Sequence, residues 1–137
     1  MPLVHHDLCF GCGQANLFGL QAELERRDDG SVAGRVFVKQ DHQGPPGYAH
    51  GGILAAALDE AMSLAAGDGS DPAVTARLEL DLRAPAPVGG FLALEASVEP
   101  EPELSRRLRA RASARREDGT LVAEARAVLV RAAPAPG

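Results

Sequence analysis

The segment "ILAAALDEAMSLAA", Ile53 to Ala66, constrains this chain more than any other. It has the length of a helix, and the stop "GDGSDP" follows it. Alanine and leucine occur nearly all the way round it, so it has no wet face to turn outward. A helix of that kind must be enclosed. It is also the only convincing helix, and the remaining periodic segments read as strands. A sheet therefore has to curve over it, because only that hides the whole helix surface.

The strands are legible from their turns and their period of two. "LQAELERRDDGSVAGRVFVKQ" reads as a hairpin about Asp29-Gly30, a strong turn signal. "DHQGPPGYAHGG" is a loop with four glycines and two prolines. In "TARLELDLRAP", Ala76, Leu78, Leu80 and Leu82 alternate with Thr75, Arg77, Glu79, Asp81 and Arg83. "PAPVGG" turns the chain into "FLALEASVE". Leu108, Ala110, Ala112 and Ala114 then alternate with Arg107, Arg109, Arg111 and Arg115, and Asp118-Gly119 leads into "TLVAEARAVLVR". The order is strand, strand, buried helix, then four strands. That predicts an α+β fold with one long antiparallel sheet wrapped around a central helix. Small alanines on the strands let sheet and helix approach closely. One domain over residues 1–137 is expected, with a loop segment at 1–20 and a disordered tail at 132–137.

Charge and composition exclude several function classes. A formal net charge of −5 argues against nucleic-acid binding, which needs an excess of Lys and Arg. Aromatics make up 4% and Trp is absent, so base-stacking platforms are not expected. No apolar run approaches the roughly 20 residues of a membrane span. "MPLVHHDLCFGCG" lacks the basic start and apolar core of a secretory signal, so a cytoplasmic protein is expected.

Against that background two acids, Asp59 and Glu60, stand inside the apolar helix, just after the "HGG" of His50–Gly52. Buried carboxylates are costly unless something pairs or uses them. Four features taken together resemble the hotdog-fold thioesterases of the phenylacetyl-CoA thioesterase (PaaI-like) group. They are "CFGCGQANLFGL", "HGG", an acid nine residues after its histidine, and "TARLELDLRAPAPVG". The resemblance spans roughly Cys9 to Arg131. One departure is Asn16-Leu17-Phe18-Gly19-Leu20, where relatives often carry Asn-Pro-x-Gly-Leu.

The resemblance implies a hotdog fold and hydrolysis of acyl-CoA to a free acid and CoA. It implies that Gly51 supplies an amide to the thioester carbonyl, that His50 orients the ligand, and that Asp59 is the carboxylate, as nucleophile or as general base. It implies that Thr75 positions the water or the acid. Gly52, Gln43 and Gly44 would line the substrate pocket, and no cofactor or metal is implied. An aromatic acyl group would follow the best-known relatives, while a medium-chain one suits an Ala- and Leu-lined pocket equally. The partners implied are the acyl-CoA and further copies of the chain, arranged by family habit as a homotetramer. A non-catalytic acyl-CoA-binding protein is the alternative, with a dehydratase and a metal-binding regulator behind it.

The physical chemistry of the residues agrees. A tetrahedral oxyanion needs preorganised donors, and the first N–H groups of a helix are unpaired at its positive end. Glycines there let a carbonyl approach the backbone. Gly51 and Asp59 are eight residues apart in the sequence, so about 12 Å separates them along one helix. An Asp side chain cannot close that gap. The site is therefore expected to join Gly51 of one subunit to Asp59 of another in a two-fold dimer. Asp59 and Glu60 point about 100° apart, so only one faces the site, and Glu60 is expected to be solvent-facing or paired.

Two other features invite chemistry. Cys9 and Cys12, with His5 and His6 upstream, suggest zinc, but no second ligand pair follows at a recognisable spacing, and no metal is expected. A redox role lacks the surrounding βαβ pattern. Six arginines fall between Arg106 and Arg116. Their alternation fits a solvent-facing strand, while the sharper reading sets Arg109 and Arg111 against the phosphates of CoA.

Overall fold

The computed structural model describes residues 2–67, 73–99 and 106–131. Six strands form one antiparallel sheet: β1 (Glu23–Arg26), β2 (Val32–Phe37), β3 (Ala73–Leu82), β4 (Phe91–Val98), β5 (Arg107–Arg116) and β6 (Leu121–Arg131). Their spatial order is β1-β2-β4-β5-β6-β3. The helix α1 (Gly51–Ala66) packs against β2, β3, β4, β5 and β6, as a helix with no polar face requires. Residues 2–22 contain neither helix nor strand, and the expected tail at 132–137 lies outside the described residues.

Both predicted Asp-Gly turns are present. Gly30 and Gly119 take φ values of 89° and 88°, which a side chain would resist, and they close the β1–β2 and β5–β6 hairpins. On β5 the alternation is realised in full. Leu108, Ala110, Ala112 and Ala114 are buried under α1, and Arg107, Arg109, Arg111 and Arg115 point away. Leu54, Leu58, Met62 and Leu64 of the helix fill the space opposite. Cutting Leu58 to Ala would cost about 2–5 kcal/mol through lost burial and the cavity left behind.

The helix begins two residues earlier than its composition suggests. Glycine is a poor helix former, yet Gly51 and Gly52 join the first turn because His50 caps it, its Nδ1 accepting from the Gly52 N–H at 2.8 Å. At the other end, the Arg26 guanidinium donates to the carbonyls of Leu64 (2.7 Å) and Ala65 (3.4 Å).

The two edges of the sheet differ. One is β1, four residues long, and the other is β3, with ten. The β3 edge leaves Val74, Leu78 and Leu82 at 65%, 37% and 55% exposure, so its apolar alternation is not matched by burial within the chain. A long edge strand with exposed aliphatic side chains is a surface prepared for pairing.

Candidate active site

The helix start supplies the first component. His50 spends its Nδ1 lone pair on the Gly52 amide, so in the neutral ring the proton sits on Nε2, which is free to donate outward. Gly51 occupies the first helical position, and its N–H has no hydrogen-bond partner among the described residues. Gly44 lies against His50: a Cβ there would stand 2.9 Å from the His50 Cα, so the close approach requires glycine. Gln43 braces the same loop, accepting from the Gly47 N–H at 2.6 Å and donating to the Gln40 carbonyl at 2.8 Å.

The second component is a pair. Thr75 Oγ1 donates to Asp59 Oδ1 at 2.5 Å, and both residues are half-buried. The other oxygen, Oδ2, has no partner among the described residues. The strand phase makes this contact unexpected. Thr75 and Leu82 are seven residues apart and would face opposite ways on a regular strand. Leu82 nonetheless reaches the helix start, where its Cδ1 would lie 3.2 Å from a Cβ on Gly51. A bulge reconciles the two. Thr75 pairs with Leu129 and Arg77 with Val128, so Ala76 is the extra residue, and Thr75 turns to the helix side with the leucines.

Glu60 behaves differently from its neighbour. It is buried, at 8% exposure, so the solvent-facing half of its expectation is overturned. The paired half holds: its Oε1 lies 2.6 Å from His5 Nδ1 and 3.5 Å from Cys9 Sγ. Hydrogen bonds to Cys12 and Glu60 push the His5 ring up to about 11. Burial alone would raise the Glu60 carboxyl, but the hydrogen bonds from His5 and Cys12 and the His5 charge outweigh it and leave it below its ordinary range. The Cys12 thiol is raised, chiefly by burial. The sequence groups His5, Cys9 and Cys12 but gives no sign of Glu60, which lies 55 residues from His5 and 51 from Cys9 along the chain.

Arg109 and Arg111 are not brought together with the helix start or with Asp59. They stand on the sheet face turned away from α1, where Arg111 pairs with Glu99 at 3.1 Å. Arg111 there helps line an open hollow of about 530 Å³, alongside Glu79, Arg83, Glu95 and Glu124. Its mixed charges suit an outer surface, because the acids offset the arginines.

One curved sheet holding one central helix, with an open amide at the helix start and a carboxylate two turns on, defines a hotdog-fold protein. Residues 46–101 match the thioesterase superfamily model. A solved thioesterase superfamily protein is 29% identical with a TM-score of 0.80, covering 89% of this chain, which spans 62% of that protein's length. The E. coli PaaI protein of the phenylacetic acid degradation operon is 20% identical with a TM-score of 0.76, covering 89% of this chain and 84% of its own. A hypothetical thioesterase of Streptococcus pneumoniae, solved with coenzyme A, is 18% identical with a TM-score of 0.71, covering 80% of this chain and 87% of its own. No curated protein matches the sequence. The chain has the hotdog fold that PaaI also has, and its central segment is similar to the thioesterase superfamily. Among the described residues, no helix is long and apolar enough to cross a membrane.

Proposed function

We propose that the chain hydrolyses acyl-CoA thioesters at composite sites formed by two subunits. One observation carries the reading: Asp59 is fixed through Oδ1 by Thr75 while Oδ2 stays open, on the same helix that presents the unpartnered Gly51 amide. In the reaction, the thioester carbonyl oxygen accepts from the Gly51 N–H of one subunit, which stabilises the oxyanion as it forms. Asp59 Oδ2 of the other subunit takes a proton from water as the water oxygen bonds to the carbonyl carbon, or attacks that carbon itself. The C–S bond then breaks and the CoA sulfur takes the proton that Asp59 holds. On the direct-attack route the sulfur is protonated by water, and a second water hydrolyses the acyl–Asp59 anhydride to free acid and restores the carboxylate. His50 Nε2–H, at the same helix start, is placed to donate to the bound thioester. The S. pneumoniae relative solved with coenzyme A supports the choice of ligand.

The dimer follows from distance. Gly51 and Asp59 share one helix, separated by about 12 Å of rise, and the long β3 edge offers the surface that would bring a second helix alongside. Mixing two variants tests this. Gly51→Pro removes the amide at a helix position that tolerates proline, after a His50 backbone already extended at ψ 141°. Asp59→Asn removes the base. Each variant alone should be inactive towards a panel of aromatic and aliphatic acyl-CoAs. Unfolded and refolded together, they should recover about a quarter of wild-type activity, since half of the dimers carry one intact site. If the mixture stays inactive while both variants fold, the site is not composite. If wild type releases no thiol from any acyl-CoA, the hydrolase reading fails and an acyl-CoA-binding protein replaces it.

A further inference from the structure

We propose that His5, Cys9, Cys12 and Glu60 form a closed, structural binding site for one zinc-class divalent ion. The inference rests on the convergence of four ligand atoms, one from each residue, all within 4.8 Å of one another. Around a tetrahedral zinc ion, with bonds of about 2.3 Å to sulfur and about 2.0–2.2 Å to nitrogen and oxygen, neighbouring ligand atoms stand roughly 3.3–3.8 Å apart. Three of the six separations fall in that range: Cys9 Sγ to Glu60 Oε1 is 3.5 Å, Cys9 Sγ to His5 Nδ1 is 3.7 Å, and Cys12 Sγ to His5 Nδ1 is 3.6 Å. The His5–Glu60 contact, 2.6 Å, is shorter because a proton lies between the two atoms. An ion replacing that proton would move them apart by about 0.7 Å.

The surroundings are those of a built site. Ser63 Oγ lies 3.3 Å from His5 Nε2, which holds the ring's other nitrogen as an outer partner does for a metal-bound histidine. The His5 amide donates to Cys12 Sγ at 3.1 Å, a contact that favours the thiolate a metal requires. Gly11, between the cysteines, packs directly on Glu60, and a Cβ there would collide with the carboxylate. Two thiolates select zinc over calcium or magnesium, which prefer oxygen ligands. Four protein ligands leave no open position, so the ion would be structural. It would pin residues 2–22, which have no helix or strand of their own, to the centre of α1. His6, the other histidine of the segment, lies outside the cluster and is exposed.

The test uses full-length protein kept reduced, stripped with a chelator and titrated with zinc alone or cobalt alone. The expected result is one zinc per chain, and a cobalt complex with a thiolate-to-metal charge-transfer band and strong tetrahedral d–d absorption. Cys9→Ser and Cys12→Ser should each weaken zinc binding at least about 100-fold, while His6→Ala should not. The cobalt spectrum of wild type needs no variant, so a poorly folding mutant does not spoil the experiment. Absence of stoichiometric zinc, a cobalt spectrum without the thiolate band, or binding that survives both cysteine substitutions would each overturn the site.

Discussion

Asp59 and Glu60 are neighbours in the sequence, with the same chemical group, yet they face two different parts of the molecule. Asp59 is half-buried, touches Thr75 through one oxygen and leaves the other open. Glu60 is buried, with His5 and Cys9 both within reach of its carboxylate. A carboxylate with an unused oxygen at a half-open surface can take a proton from water. One whose oxygens are all engaged can only hold its partners in place. Rotation by about 100° per residue is what separates the two fates.

Substitution can break this contrast. Asp59→Asn should lower kcat by about 100-fold or more, with thermal stability little changed, because a general base contributes on that scale. Acyl-CoA hydrolysis and a thermal melt on the same sample check both halves. Glu60→Gln should do the reverse. Removing one partner of a buried pair costs about 3–5 kcal/mol, which would lower Tm by roughly 10 °C in a domain of this size. The folded fraction should still hydrolyse thioester within about tenfold of wild type, since the group touches no reacting atom. If Glu60→Gln abolishes kcat at full stability, the assignment of the two acids is reversed.

Smaller effects sharpen the picture. Thr75→Ala removes a hydrogen bond to a charged acceptor worth about 1.5–3 kcal/mol, so a loss of at least about tenfold in kcat is expected, with KM nearly unchanged. Rescue by Thr75→Ser would show that the hydroxyl matters rather than the methyl. Arg109→Glu combined with Arg111→Glu should change KM for acyl-CoA by less than about twofold, since both lie on the outer sheet face. A tenfold rise would mean that CoA bound at another subunit crosses that face.

The architecture could be read from the chain because its signals are local. Asp29-Gly30 and Asp118-Gly119 close hairpins by themselves, and the enclosure of Ile53–Ala66 follows from its composition. The site was legible only in part. Gly51 and Asp59 are picked out by the resemblance, and helix geometry adds only that about 12 Å separates them. The orientation of Thr75 depends on a bulge at Ala76, and its side of the strand cannot be counted from alternation. The amide of Gly52 looks as available as that of Gly51 until the His50 ring is seen to occupy it. Nothing local marks the surroundings of Glu60, because its partners His5 and Cys9 lie more than fifty residues away along the chain.

The two ends of α1 are finished in opposite ways, and that has an electrical consequence. At the C-terminus, Arg26 sits on the last carbonyls and cancels the negative pole. At the N-terminus no acidic residue occurs in the first turn, so no charge of that turn offsets the positive pole. A chain carrying five excess negative charges would repel a polyanionic ligand over most of its surface. The helix pole itself contributes positive potential at the helix entrance. If the proposed activity holds, that pole would help to draw an anionic ligand to the helix entrance through the backbone.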